Sequence, residues 1–136
     1  MSTLNSPLQI GPVRLRNRIA MPPMVRTAPQ MPPEVIESDG SVTEAIVEHY
    51  RARARAGTAL IIVEATCVDP SGRAWKQGLN AYDDCYTDGL SRLAQAITAE
   101  GAIAGIELVH AGPQAKPSLC GGVTYGPSAV SASPGE

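Results

Sequence analysis

Apolar residues in this chain come in short runs separated by stretches with helical spacing. Leu8 to Ile10 and Val13 to Leu15, joined through Gly11-Pro12, predict two short extended pieces forming a small hairpin. Arg18 to Met21 is the first predicted core strand. Pro22-Pro23 ends it, because proline lacks a ladder donor and restricts the residue before it. A long loop rich in Pro and Met follows, from Val25 to Gly40. A helix is predicted from near Ser41-Val42-Thr43-Glu44, where Ser41 and Glu44 have capping-box spacing and Thr43 is a rival cap. Val42, Ile46, Tyr50 and Ala54 give that helix an apolar face, and Gly57 ends it.

Leu60 to Ala65 is a continuous apolar run, as expected of a parallel strand covered on both faces. Asp69-Pro70-Ser71-Gly72 signals a turn, with a further loop to about Thr87. The second helix is predicted over Asp88 to Glu100, with Leu90, Leu93, Ala94 and Ile97 inward and Gly101 as its stop. Ala102 to Val109 is the third core strand, and Ala111 to Glu136 shows no sustained periodicity. The order β-α-β-α-β predicts parallel strands joined by right-handed crossover helices. On pattern alone, a small open α/β sheet and the first part of an eight-stranded barrel are both admissible, since a whole barrel needs roughly 250 residues.

In such folds polar groups gather where a strand gives way to its loop. Glu107 and His110 stand at the end of the third strand, Glu64 near the end of the second, and Pro22-Pro23-Met24 just after the first. His110 reads as a strand-end histidine bonded to a loop rather than as an acid or base, and Glu64 as the partner of a nearby arginine. His49 and Tyr50 lie on the first helix and read as packing and surface residues.

Composition narrows the function classes. The 136 residues carry a formal net charge of -2, with 18% charged residues, which argues against a nucleic-acid surface. Arg51, Arg53 and Arg55 are expected on a solvated helix face. Cys67, Cys85 and Cys120 are widely spaced and odd in number, so neither a disulfide framework nor a zinc site is expected. Asp83-Asp84 has no third ligand, and Gly121-Gly122 and Gly101-x-x-x-Gly105 lack the context of a phosphate loop, so no metal site is predicted. With no signal-peptide pattern at the amino terminus and no membrane-length apolar window, the expected location is cytoplasmic.

Several separated motifs in order carry a family resemblance. They are Ser6-Pro7-Leu8; Leu15-Arg16-Asn17-Arg18-Ile19-Ala20-Met21-Pro22-Pro23-Met24; His49-Tyr50-Arg51-Ala52-Arg53-Ala54; Leu60-Ile61-Ile62-Val63-Glu64-Ala65; and Gly105-Ile106-Glu107-Leu108-Val109-His110-Ala111-Gly112 with the later Gly126-Pro127-Ser128-Ala129. Together they closely resemble the Old Yellow Enzyme family of NADH:flavin oxidoreductases. The likeness runs over residues 4–136, a single domain. It implies an α/β fold comprising a short amino-terminal β-hairpin and the first three βα units of a (β/α)8 TIM barrel, the barrel being incomplete.

The resemblance also implies FMN at the carboxyl ends of the strands, NADH or NADPH as reductant, and hydride transfer from flavin N5 to an activated alkene, a small molecule. Pro22, Pro23, Met24 and Val25 would lie along the flavin, Ala65 would meet its edge through the backbone, and Glu107 would reach its pyrimidine part. Thr27 falls where some members have a substrate-facing tyrosine. Three positions depart from the family pattern. Glu107 replaces a glutamine, Val25 a cysteine or threonine that can hydrogen-bond, and Pro113 the arginine that follows His-Ala-Gly. An ionised Glu107 only accepts hydrogen bonds, so it is expected to lower the flavin potential or weaken FMN binding. The family's substrate-binding histidine/asparagine pair, its tyrosine donor and its phosphate loops lie beyond the third strand, so no catalytic residue is expected in this chain. Its implied partner is the missing carboxyl-terminal part of a barrel or a second copy. The competing expectation is a small autonomous α/β binding module without redox activity.

Overall fold

The computed structural model describes residues 3–26 and 39–129. Strand β1, Leu8–Ile10, pairs antiparallel with β2, Val13–Leu15, in the register Leu8 to Leu15 and Ile10 to Val13. Leu15 turns inward and is buried. The next residues explain what the Arg16-Asn17 motif does. Arg16 donates from Nη2 to Ala54 O at 2.6 Å and Thr58 O at 2.9 Å, and from Nη1 to Glu100 O at 2.9 Å. Asn17 Nδ2 donates to Gly57 O at 2.7 Å. These carbonyls lie at the carboxyl ends of both long helices, where unpaired acceptors and the negative end of the helix dipole favour a cation. One arginine therefore fastens two helix ends to the start of the sheet.

Strand β3 is Ala20–Met21, two residues shorter at its start than the apolar pattern predicts. The Arg18 amide donates to Leu4 O and the Ile19 amide to Asn17 Oδ1, so neither is free for a ladder. Helix α1, Glu44–Arg55, is capped by Thr43, whose Oγ1 accepts from Ile46 N at 3.3 Å. Of the two sequence candidates Thr43 is thus the cap and Ser41 is not. Strand β4, Leu60–Cys67, extends two residues beyond the predicted end. The segment read as a loop contains a short strand β5, Leu79–Asn80, which no two-residue pattern could announce.

Helix α2 is Thr87–Ala99, entered through a 3-10 turn over Asp84–Tyr86. Asp83 caps that turn by accepting from Cys85 N at 2.9 Å, and these bonds hold its carboxyl below the usual range. Strand β6, Ile103–Val109, closes the described sheet. All its pairings are parallel: β3 and β5 both pair with β4, at its start and end, and β6 runs along the whole of β4 on the other edge.

Ile46, Val47, Tyr50 and Ala54 of α1 and Leu93, Ala96 and Ile97 of α2 pack on one sheet face against Ile61, Val63 and Ala104. Ala96, not the expected Ala94, is the buried alanine of α2. Ala94 is exposed and lines, with Leu90, Ile106 and Leu108, an apolar groove of about 450 Å³ between α2 and β6. Leu108 is 64% exposed. The opposite sheet face is thinly covered, with Leu60 and Ile62 only half-buried and Ile103 and Glu107 exposed. Parallel strands are normally buried on both faces, so this sheet has the geometry of part of a larger structure.

Candidate functional site

β3, β4 and β6 all point the same way: β3 ends opposite Ile61, early in β4, while β4 and β6 end side by side at Cys67 and Val109, and the chain after β3 continues in the same direction to Arg26, which reaches Glu64. Beyond β3, Pro22 is exposed, Pro23 and Val25 are half-buried, and Met24 is 64% exposed. On β4 the ladder is interrupted. Val63 pairs with Ile106 and Thr66 with Leu108, so Glu64 and Ala65 together stand opposite the single residue Glu107. This bulge breaks strict alternation and lets every residue from Val63 to Cys67 be buried. It also sets buried Ala65 beside exposed Glu107. Of the sequence-predicted residues, Ala65 and Glu107 stand side by side across the ladder, Pro22, Pro23, Met24 and Val25 lie on the segment between β3 and Arg26, and Thr27 lies outside the described residues.

Directly behind this surface is a polar cluster that the sequence only half revealed. Glu64 is wholly buried, and its Oε2 receives Arg26 Nε at 2.8 Å, with Arg26 Nη2 at 2.6 Å. Tyr50 OH donates to the same oxygen at 3.2 Å and accepts the Glu64 amide at 2.9 Å. The Arg26 guanidinium carbon lies 5.2 Å from the Tyr50 ring centroid. Burial pushes the Glu64 carboxyl up, and the charge and hydrogen bonds of Arg26 and the Tyr50 hydroxyl pull it partly back. Burial, with the Glu64 charge, pushes the Tyr50 hydroxyl up to about 12. Glu64 is indeed the partner of an arginine, but that arginine comes from the loop after β3. Tyr50 does more than pack.

His49 stacks edge-on against Tyr50, with centroids 5.1 Å apart and planes at 86°. Burial, then the positive charges of Arg26 and Arg53, lower its pKa from 6.5 to about 4. The folded chain therefore holds this proton less tightly than the unfolded one, so the stability contribution is complete above pH 6.5 and is lost as pH falls toward about 4. The expected result is a thermal midpoint that declines over that window and a shallower decline in His49→Phe, which keeps a ring against Tyr50. Parallel pH profiles for the two proteins would contradict the assignment.

His110 joins two loops. Gly112 N donates to its Nδ1 at 3.0 Å, which assigns the proton of the neutral ring to Nε2. Nε2 then donates to Ser71 Oγ at 3.0 Å, and Ser71 Oγ donates to Asp69 Oδ1 at 2.5 Å. With Nδ1 occupied and Nε2 protonated, the ring has no free lone pair for base chemistry. Gly72 packs on the same ring, where a Cβ would come within 2.7 Å of its carbons. The sequence reading of His110 as a loop-bonded residue agrees with this arrangement.

Arg51 pairs with Glu48 and Arg55 with Glu100 on the surface. Cys67, Cys85 and Cys120 are free thiols. Among the described residues no group of three or more His, Cys, Asp or Glu is placed to hold a metal, and no helix is long and apolar enough to cross a membrane.

Comparison with known proteins agrees with this architecture. Residues 3–135 match the model of the NADH:flavin oxidoreductase / NADH oxidase family. The NADPH dehydrogenase of Bacillus licheniformis is 39% identical over 127 residues, which is 93% of this chain and 35% of that protein. The metal reductase of Desulforamulus reducens is 41% identical over 132 residues, 96% of this chain and 18% of that protein. Among solved structures, the old yellow enzyme homologue from Zymomonas mobilis matches with a TM-score of 0.82 at 27% identity, over 94% of this chain and 34% of its own. The chain spans about a third or less of the length of these relatives. With the hairpin, the parallel strands and the crossover helices all in place, the chain belongs to the NADH:flavin oxidoreductase family, and within it corresponds to the amino-terminal portion of an Old Yellow Enzyme barrel.

Proposed function

We infer that this chain supplies one wall of an FMN site in an NAD(P)H-dependent oxidoreductase whose substrate is an activated alkene. What supports this reading is that the segment bearing the uncovered Pro22 and Met24 is tied through Arg26 to Glu64, whose neighbour Ala65, small and buried, stands beside the exposed hydrogen-bonding group Glu107. A flat aromatic ring with a polar rim is suited to such a surface. FMN, if bound, would supply two-electron redox chemistry between a nicotinamide and the alkene. Pro22, Pro23, Met24 and Val25 would hold the ring by packing, Ala65 through its backbone, and Glu107 by accepting from a ring N–H. Arg26, the cation adjoining the wall, is committed to Glu64, so these residues offer a seat for the ring and not for the phosphate.

Substrate polarisation and protonation belong to parts of a barrel outside this chain, supplied by the remainder of a longer protein or by a complementary chain. The exposed edge of β6 and the groove beside α2 suit such a partner better than an autonomous module, since edge strands and apolar patches invite association. The test is titration of the chain with FMN, following flavin fluorescence while circular dichroism reports folding. Saturable quenching by a folded chain supports the wall, and a folded chain that leaves FMN fluorescence unchanged overturns it. Replacing Glu107 by glutamine is expected to tighten FMN binding about tenfold and raise the flavin midpoint potential, because an amide can donate where the carboxylate repels. Unchanged affinity and potential would remove Glu107 from the site.

A further inference from the structure

Arg26 and Glu64 are each one residue from the proposed wall: Arg26 follows Val25, and Glu64 precedes Ala65. The two side chains are joined at a single carboxylate oxygen, Oε2, by one hydrogen bond from Arg26 Nε and an ion-pair contact from Nη2, while Glu64 Oε1, Arg26 Nη1 and Arg26 Nη2 have no hydrogen-bond partner among the described residues. The Arg26 side chain is only 10% exposed. Tyr50 completes the junction by bonding both the side chain and the backbone amide of Glu64. The loop after β3, the bulge of β4 and helix α1 therefore meet at one dry point.

A buried ion pair is a weak source of net stability, because desolvating both charges offsets most of their attraction and a well-packed apolar pair often serves as well. What a directional pair supplies and an apolar pair does not is a set separation. Here that separation is transmitted to the wall, since consecutive Cα atoms are only about 3.8 Å apart. The bulge contributes a second element of the same device, because it lets Glu64 face the junction while its neighbour Ala65 stands against Glu107.

We propose that Arg26 and Glu64, oriented by Tyr50, are positioning residues that set the spacing between the Met24-Val25 and Ala65 sides of the flavin wall. This inference rests on the flavin reading above and adds to it how the wall keeps its shape.

The experiment compares the full chain with the double variant Arg26→Met/Glu64→Leu, which leaves neither charge orphaned, and with the conservative Arg26→Lys. Three quantities are measured for each: thermal midpoint, amide exchange of Met24, Val25 and Arg26 or its replacement without ligand, and FMN dissociation constant by fluorescence quenching. The expected result is a double variant with a near-native midpoint, exchange of those three amides faster by about tenfold, and FMN binding weaker by about tenfold. Arg26→Lys, which keeps a charge in reach of Glu64, should recover part of both losses. Native exchange rates in the double variant would overturn the proposal, as would FMN affinity that simply follows the thermal midpoint through the series. A wild-type chain that shows the exchange contrast with its variants but binds no FMN would support the tie between loop and strand and overturn the flavin reading instead.

Discussion

Replacing Arg26 alone by methionine is expected to destabilise the chain by about 3–5 kcal/mol, because it strands a carboxylate that water cannot reach. Glu64 has no exposed surface, and its Oε1 already lacks a partner among the described residues. Removing the guanidinium leaves Oε2 with only the Tyr50 hydroxyl at 3.2 Å. The carboxyl can respond by taking a proton, which burial already favours, so the loss should shrink as pH is lowered through the carboxylate range. Domains of this kind are held by roughly 5–15 kcal/mol in total, so a loss of this size is a large fraction of the whole. Urea unfolding of the two proteins checks it. A loss under about 1 kcal/mol would place the pair among solvent-screened surface bridges and contradict its burial.

The second large effect is expected at Gly40. Its φ of +87° is one that residues with a side chain rarely adopt, and an added Cβ would overlap Asn80 Nδ2 and stand 2.8 Å from Gly78 O. Neither neighbour can give way cheaply. Asn80 is 1% exposed, donates through its amide to Asp39 O at 2.6 Å, and bonds through its backbone N to Gly40 O at 3.2 Å. The hydroxyls of Tyr82 and Tyr86, 3.2 Å apart, close the same cluster. Left-handed strain and overpacking together suggest a cost of about 2–5 kcal/mol for Gly40→Ala. Because this contact fastens the approach to α1 onto β5, protection of the Leu79 and Asn80 amides should fall with global stability. An unchanged urea midpoint would show that the chain near Gly40 takes another path.

The two sites differ in how much of them the sequence disclosed. Gly40 reads as the end of a loop, and nothing local points to Asn80, which is 40 residues away. The Arg26–Glu64 pair is legible in the sequence from one side only. A carboxylate near the end of an apolar strand has to find a cation, but which arginine supplies it depends on how the loop after β3 folds back. The same holds for Arg16 and Asn17: their motif marks the family, yet their work as fasteners for two helix ends is visible only once α1 and α2 lie side by side. Ala94 is a related case. Helical periodicity identifies an apolar face but not its centre, and α2 is turned so that Ala96 meets the core while Ala94 borders an open groove.

Legible from the residues alone were the order and type of the long elements, the family, and which polar groups stand near the strand ends. Those follow from short-range physics: proline stops, glycine ends, period-3.6 faces and unbroken apolar runs act over a few residues and need no distant partner. Tertiary structure alone decided where β3 begins, that Leu79 and Asn80 form a strand, that Thr43 is the cap, and that β4 bulges at Glu64 and Ala65 opposite Glu107. Apart from the Thr43 cap, which bonds the amide of Ile46 three residues on, these features involve groups far apart in the chain, such as the Arg18 amide with Leu4 O or Arg26 with Glu64. Such pairings form only when the sheet and its helices have brought the two groups into reach and excluded the water that would otherwise satisfy them.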